Sequence, residues 1–248
     1  MSILQKIVAN TKANLVQKRV EFPLEKIQSS IENLKLPRGK LKENISSKDE
    51  AIIAEIKKAS PSAGVIKEDF DPTKIAMEYE SFGASALSIL TEEDFFMGSI
   101  EYLKDVKKIT SLPILRKDFM IDEYQIYESK LIGADCILLI ASILADQEIE
   151  DFINIAKKLE LDYLIEVHDE NELNRVEHFE DALIGVNNRN LETFEVDLNN
   201  SVRLRNTFKQ KNIFISESGI KSREDMDYLK MNNINVFLIG ESLMRGSF

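Results

Sequence analysis

Short runs rich in β-branched residues alternate with amphipathic stretches from residue 51 onward, and this alternation constrains the fold more than any other feature. It is typical of βαβ units, in which helices join parallel strands. In the stretch 147–159, for example, apolar residues recur at i, i+3, i+4 and i+7 from Ile149 to Ala156, which predicts a helix with one apolar face. Eight runs predict strands: Ala51–Ile56, Ala84–Leu90, Pro113–Arg116, Asp135–Ile140, Tyr163–Val167, Ala182–Val186, Ile213–Ser216 and Val236–Ile239.

Eight strand and helix repeats predict a closed (β/α)8 TIM barrel of the α/β class over residues 51–248. A doubly wound open sheet is the alternative, but it uses fewer strands and a glycine-rich first turn, whereas Lys57–Ser62 reads KKASPS. Residues 1–50 are predicted to form an N-terminal helical extension packed on the barrel, with a second helix over Pro23–Leu34. Because no long low-complexity linker follows it, we expect a single domain overall.

The last helix of the barrel is expected to be short or missing, since only Gly240–Phe248 follow the eighth predicted strand. The apolar groove left between the first and seventh barrel helices should then weaken the fold or be covered by a partner.

Charge and composition exclude several classes of protein. With 32 basic and 43 acidic residues the net charge is −11, which disfavours non-specific binding to nucleic acid or to an anionic membrane. Cys136 is the only cysteine, and His168 and His178 are too few for structural zinc. No signal peptide is apparent, and the longest apolar run is about half a membrane span. We therefore expect a cytoplasmic protein without a metal, a P-loop or a Rossmann motif.

Charged and polar residues follow five of the predicted strands. TIM barrels place their ligand sites where the strands end, so these groups should converge on one mouth. The groups are Glu55 with Lys57, Arg116 to Phe119, Glu166, Asn187 to Asn190, and Glu217 with Ser218 and Gly219.

Each of these groups has a simpler structural reading. A strand-end lysine such as Lys117 is usually solvated, and Glu55 and Glu166 can form structural ion pairs with Lys57 or Lys117. Their convergence nevertheless favours a function, because a partly dry pocket can tune a lysine to act as an acid and a glutamate as a base. Cys136, inside an apolar strand, is predicted to be core.

Two glycine-bearing turns, Ser218-Gly219 and Gly240-Glu241-Ser242, follow the seventh and eighth predicted strands. TIM barrels often bind phosphate there through backbone N–H groups, although plain turn formation is the alternative. An anionic ligand of so acidic a protein needs local cations, for which Lys57, Lys58 and Lys117 are the candidates.

The strings around the strand ends resemble indole-3-glycerol phosphate synthase, a TIM-barrel family of tryptophan biosynthesis. The resemblance covers nearly the whole chain, including the helical extension, which in the family helps to close the site. Eight motifs carry it: IAEIKKASPS (53–62), LTEEDFFMGS (90–99), PILRKDF (113–119), ADCILLI (134–140), LIEVH (164–168), IGVNNRNL (184–191), SESGI (216–220) and FLIGESLM (237–244).

The resemblance implies a carboxy-lyase that closes the ring of 1-(o-carboxyphenylamino)-1-deoxyribulose 5-phosphate, with loss of CO2 and water, to give indole-3-glycerol phosphate. By motif position, Lys117 corresponds to the general acid that protonates the ketone oxygen. Lys57 corresponds to the partner of the substrate carboxylate or to a second acid. Glu166 corresponds to the residue that acts in the later dehydration or proton abstraction, and Glu55 and Asn187 to residues that orient the lysine and the intermediate. No cofactor and no metal are implied.

The resemblance assigns the remaining site residues to three groups. Glu217 and Ser218 correspond to contacts of the pocket, and Glu217 is counted with the catalytic groups. The phosphate site corresponds to Ser62, Gly219, Gly240 and Glu241. The apolar walls correspond to Phe96, Phe119 and Leu138, and Arg189 corresponds to a residue that fixes a loop.

The expected partner is a small anionic, phosphorylated substrate, with no nucleic acid and no membrane. We expect a monomer, and association with other tryptophan-pathway enzymes stays open. Two alternatives remain: another barrel enzyme such as phosphoribosylanthranilate isomerase, which would more often place Cys and Asp at the strand ends, and a non-catalytic scaffold. The buried lysines and glutamates disfavour both.

Overall fold

A closed barrel of eight parallel strands forms the centre of the molecule, in a computed structural model that describes residues 2–34, 36–191 and 193–248. Each strand pairs with its neighbours in the chain, and the last closes the barrel on the first through Ala51 opposite Val236. The predicted TIM barrel is confirmed, with strand ends within two residues of those expected. The strands are β1 (Ala51–Ile56), β2 (Ala86–Leu90), β3 (Ile114–Lys117), β4 (Cys136–Ile140), β5 (Asp162–Val167), β6 (Leu183–Asn187), β7 (Phe214–Glu217) and β8 (Val236–Ile239).

Helices surround the barrel and precede it. Their ends follow local chemistry: Asp71 accepts hydrogen bonds from the first-turn N–H groups of Thr73 and Lys74, and Gly83, at φ 96°, ends the same helix before β2. The helices are α1 (Ile3–Glu21), α2 (Leu24–Leu34), α3 (Leu41–Ser46), α4 (Pro72–Phe82), α5 (Ile100–Ile109), α6 (Glu123–Leu131), α7 (Asp146–Lys158), α8 (Glu170–Val176), α9 (Asn199–Thr207), α10 (Arg223–Met231) and α11 (Glu241–Met244).

The apolar core lies on both faces of the sheet because successive strand residues point to opposite sides. One set fills the barrel interior, and the other packs between the strands and the helices. Cys136 belongs to the interior and is completely buried, which confirms its predicted place in the core. Burial raises the pKa of its thiol well above the ordinary value.

The N-terminal extension reaches both ends of the barrel. The hydroxyl of Tyr124 on α6 donates to the carbonyl of Phe22 at the end of α1 (3.0 Å), and α2 packs against α6. Leu41 and Ile45 of α3 are buried in the cluster that fills the barrel interior, below the starts of the strands. Helix α3 was not predicted, because six residues are too few to show a helical period.

The expected short final helix is confirmed: α11, after β8, has four residues. Apolar side chains are exposed on α4 and α10, the two helices next to α11. Their exposed fractions are 52% for Met77 and 49% for Phe82 on α4, and 77% for Met231 on α10. The ring of Phe248 packs edge-on against Phe82, with centroids 6.2 Å apart. Whether the groove weakens the fold stays a prediction. Within the described residues, no helix is long and apolar enough to cross a membrane.

Candidate active site

A cavity of about 470 Å³ opens at the end of the barrel where the strands terminate. All fifteen predicted site residues line it: Glu55, Lys57, Ser62, Phe96, Lys117, Phe119, Leu138, Glu166, Asn187, Arg189, Glu217, Ser218, Gly219, Gly240 and Glu241. The alternation of strand side chains explains the convergence, since inward-facing residues at the ends of closed parallel strands share one mouth.

A lysine between two glutamates forms the deepest charged group of the cavity. Lys117, at the end of β3, places Nζ 2.7 Å from Oε2 of Glu166 on β5 and 3.2 Å from Oε2 of Glu217 on β7. The Asn187 side-chain amide donates to Oε1 of Glu166 (3.1 Å). The Lys117 side chain is only 15% exposed, so the reading of this lysine as a solvated surface residue is wrong.

The three charged groups shift one another's pKa values. Burial disfavours the charged ammonium of Lys117, but the charges of Glu166, Glu217 and Glu55 outweigh it and raise the pKa of the lysine. Burial also favours the neutral form of both carboxyls. For Glu166 the charge of Lys117 and the hydrogen bonds outweigh this effect of burial and lower its pKa to about 2. In the part of the chain that the structure describes, Oε1 of Glu217 has no hydrogen-bond partner, and two other carboxylates act on the same group, so burial prevails and its pKa rises to about 7. At neutral pH the cavity therefore holds a charged lysine and an ionised Glu166, whereas Glu217 gains or loses its proton at a much higher pH than an ordinary glutamate.

Two glycines make room for the carboxylates. A Cβ on Gly185 in β6 would lie 2.1 Å from Oε1 of Glu217, and a Cβ on Gly240 would lie 2.4 Å from Oε1 of Glu55. Both distances are below any van der Waals contact, so larger residues at these positions would displace the acids.

Lys57 forms a second ion pair, in which its Nζ lies 2.5 Å from Oε1 of Glu55. The two residues are two apart on β1 and its extension, and therefore face the same side, as predicted. Lys58 faces the other way: it does not line the cavity, and its carbonyl accepts from the backbone of Ile66 (2.8 Å). The expectation that Lys58 supplies charge to the site is therefore wrong.

Arg116 also departs from the expected convergence. It precedes Lys117 on β3, so its side chain points out of the barrel, where it is 1% exposed. Its guanidinium binds carboxylate oxygens of Asp118 (3.0 Å) and Glu128 (2.7 Å). Further hydrogen bonds run to the Thr91 and Ser129 hydroxyls and to a backbone carbonyl. Arg116 thus ties the end of β3 to α6 instead of facing a ligand.

Two aromatic rings form an apolar wall of the cavity. Phe96 and Phe119 pack with centroids 5.8 Å apart. Each is held through its backbone: the Glu92 carboxylate accepts from the N–H of Phe96 (3.0 Å), and the Asp118 carboxylate accepts from the N–H of Phe119 (2.8 Å). These bonds fix the rings beside the charged groups.

The outer part of the cavity carries turns with left-handed backbone and further cations. Gly219 has φ 85°, and a Cβ there would lie 2.3 Å from the Val196 side chain, so glycine is required. Arg189 donates to the carbonyl of Phe194 (3.2 Å) and pairs with Val196 in a β-bridge, which holds the loop after β6.

Sequence reasoning named neither the two basic residues of this outer region, Lys221 and Arg245, nor Ile3, Leu4 and Ile7 of α1, although the family resemblance implied that the helical extension helps to close the site. The position of Lys221, two residues after Gly219 in the predicted phosphate loop, was a signal for it. Ile3 and Leu4 belong to the apolar stripe of α1, but a stripe does not reveal which part of the barrel it covers. Within the described residues, no cluster of three His, Cys, Asp or Glu side chains could hold a metal ion.

Comparison with known proteins identifies relatives over nearly the whole chain. Residues 4–247 match the family model described as "Indole-3-glycerol phosphate synthase". A protein of that name from Ruminiclostridium cellulolyticum is 48% identical over 98% of this chain and 94% of its own length. The one from Endomicrobium trichonymphae is 46% identical over 98% of this chain and 95% of its own length.

Solved structures share the fold at low identity. An N-acetylmannosamine-6-phosphate 2-epimerase from Clostridium perfringens superposes with a TM-score of 0.60 at 14% identity, over 80% of this chain and 90% of its own. A phosphoribosylanthranilate isomerase from Thermotoga maritima superposes with a TM-score of 0.55 at 10% identity, over 78% of this chain and 88% of its own. At these identities the likeness extends to the barrel alone.

Proposed function

The chain belongs to the indole-3-glycerol phosphate synthase family, and we propose that it catalyses the family reaction. In that reaction 1-(o-carboxyphenylamino)-1-deoxyribulose 5-phosphate closes to indole-3-glycerol phosphate with release of CO2 and water. The observation that carries the proposal is the buried network of Lys117 with Glu166 and Glu217, which places an acid and two carboxyl groups in one cavity.

Lys117 is the general acid of ring closure. Its ammonium is charged at neutral pH and only 15% exposed, so a substrate carbonyl that reaches it meets a hydrogen-bond donor that is largely shielded from water. Donation of a proton to the ketone oxygen makes the carbonyl carbon accept electrons from the aromatic ring. Glu166, which is ionised, then acts as the base of the later dehydration.

The other groups orient the substrate. Lys57, held by Glu55, is the counter-ion of the substrate carboxylate, and Asn187 keeps Glu166 in place through its amide. The wall of Phe96 and Phe119 favours loss of that carboxylate, because an apolar surface stabilises neutral CO2 and an uncharged ring over an anion.

The phosphate group lies at the outer side of the cavity. The turn at Gly219 and the start of α11 at Gly240 and Glu241 face this region together with Ser62, and Lys221 adds a positive charge. Cations concentrated here offset the overall charge of −11 and attract an anionic substrate.

The test is a fluorescence assay for indole-3-glycerol phosphate with purified protein and the carboxyphenylamino-deoxyribulose phosphate. We expect product from the wild type and a loss of about 100-fold or more in kcat for Lys117→Ala, the usual size of a general-acid contribution. Lys58→Ala is the matched control and should keep full activity, because Lys58 neighbours Lys57 in the chain but lies outside the cavity.

A folded wild type that binds the substrate and forms no product would refute the proposal and favour the scaffold alternative. Lys117→Ala within a few-fold of wild type would refute the role of the lysine. Glu166→Gln should lower kcat far more than it raises KM, whereas a change in KM alone would assign Glu166 to binding.

A further inference from the structure

The imidazole of His168 lies beside Glu166, two residues further along the chain and just after the end of β5. The Nε2 atom of His168 is buried and lies 3.5 Å from Oε1 of Glu166, and it has no hydrogen-bond partner among the described residues. The Nδ1 atom lies 3.2 Å from Oε2 of Glu172 on α8. The ring therefore lies between two carboxylates, although it does not itself line the cavity.

The surroundings of this ring favour its charged form. Glu172 on α8 and Glu166 on β5 flank the ring, and the charge of Glu217 on β7 acts on it at longer range. The neutral Asn200 on α9 donates a hydrogen bond to the backbone carbonyl of His168. Burial opposes a charge on the ring, but the hydrogen bond to Glu172 and the nearby carboxylates outweigh it and raise the pKa of His168 above its ordinary value of 6.5.

The proposed chemistry creates a need for this charge. Once Lys117 gives its proton to the substrate it is neutral, and Glu166 then loses the cation 2.7 Å away that keeps it ionised. A buried carboxylate without a counter-ion takes up a proton and can no longer act as a base. Among the described residues, His168 supplies the remaining positive charge in contact with Glu166.

We propose that His168 is a positioning residue whose positive charge, fixed by Glu172, keeps Glu166 ionised and oriented after Lys117 has released its proton. This inference rests on the proposed function. His168 acts through Glu166 and touches no substrate, so its replacement should change kcat and leave KM within about twofold.

Three variants test the charge directly. His168→Gln keeps a polar side chain without charge, and His168→Lys carries a permanent charge. His178→Gln is the matched control, because this ring is exposed and packs on Phe179, with centroids 3.9 Å apart. Each kcat is measured from pH 6 to pH 9, and the ratio of the wild-type kcat to the kcat of each His168 variant is compared with the same ratio for His178→Gln.

The wild-type advantage over His168→Gln should be about tenfold or more at pH 6 and should shrink as the pH rises through the raised pKa of the ring. His168→Lys should stay near wild type at pH 6 and exceed it above that pKa. Equal activities of the Gln and Lys variants at every pH, or a wild-type ratio that does not change where the imidazole titrates, would overturn the inference.

A second measurement requires no folded His168 variant. In NMR titrations of the imidazole, Glu166→Gln should lower the pKa of His168 relative to wild type, because it removes a facing negative charge; an unchanged pKa would overturn the inference. The failure of the proposed function is distinguishable, because it would show as a wild type that forms no product although the imidazole titrates as expected.

Discussion

Replacement of Glu217 by glutamine should make the protein more stable and less active. The carboxyl is 2% exposed, its Oε1 has no hydrogen-bond partner in residues 2–34, 36–191 and 193–248, and its pKa is raised to about 7 from an ordinary value of 4.5. A group with a raised pKa in the folded state stabilises the fold fully below pH 4.5 and loses that contribution as the pH rises through 7. At about 1.4 kcal/mol per unit of pKa, a shift of this size corresponds to a loss of about 3.5 kcal/mol over the whole range.

Glutamine mimics the protonated acid and does not titrate. Its carbonyl can accept from Lys117, which keeps its ion pair with Glu166. The free energy of unfolding of Glu217→Gln minus that of wild type should therefore increase by about 2 to 3 kcal/mol between pH 5 and pH 8. The lowered pKa of Glu166 does not interfere, because its stabilising effect is lost only below pH 4.5.

Urea unfolding of both proteins at pH 5, 6.5 and 8 measures this difference. Glu43→Gln removes an exposed carboxylate, 64% accessible, and should change stability by less than about 0.5 kcal/mol at each pH. A Glu217→Gln difference that stays constant with pH would falsify the assignment of the raised pKa to this residue. Turnover should fall in the same variant, because the carboxyl faces Lys117.

Three further predictions concern neighbouring parts of the site. Gly185→Ala should lower kcat strongly and stability by about 1–3 kcal/mol, since its methyl would displace the Glu217 carboxylate. Gly83→Ala, with open space around it, should lose stability without losing kcat, and equal kcat values of the two variants would contradict the steric argument. Asp94→Ala removes the acceptor of two asparagine amides on α1, the helix that covers the mouth, and should raise KM several-fold with little change in kcat; an unchanged KM would separate α1 from substrate binding. Cys136 should stay inert to a thiol reagent until urea unfolds the chain, and labelling of the native protein would contradict its burial.

The barrel could be predicted from the sequence because each strand is a short β-branched run between helices with a clear period. The alternation of strand side chains also placed Glu55 and Lys57 correctly on one face. The same rule, applied to Lys58 and Arg116, would have excluded both from the cavity, because each neighbours a residue that faces inward.

Features that depend on distant packing were less accessible. The solvated reading of Lys117 failed because its burial depends on Glu166 and Glu217, which lie on other strands. The shifted pKa of Glu217 depends in turn on the space that Gly185 leaves on the adjacent strand. No property of a single segment reports these combinations, whereas the motifs of the family resemblance do, since they record strand ends that function together.

The closure of β1 on β8 sets the order in which the molecule can be completed during synthesis. Residues from Ile3 to Ser247 line the cavity. Strand β1 lacks one of its two neighbouring strands until β8 has been made. At translation rates of about 5–20 residues per second, the interval between these two strands lasts roughly 10 to 40 s. For that time a ribosome-bound chain exposes an unpaired strand edge and an unfinished charged cavity, so the ligand site can form only after β8 has been made.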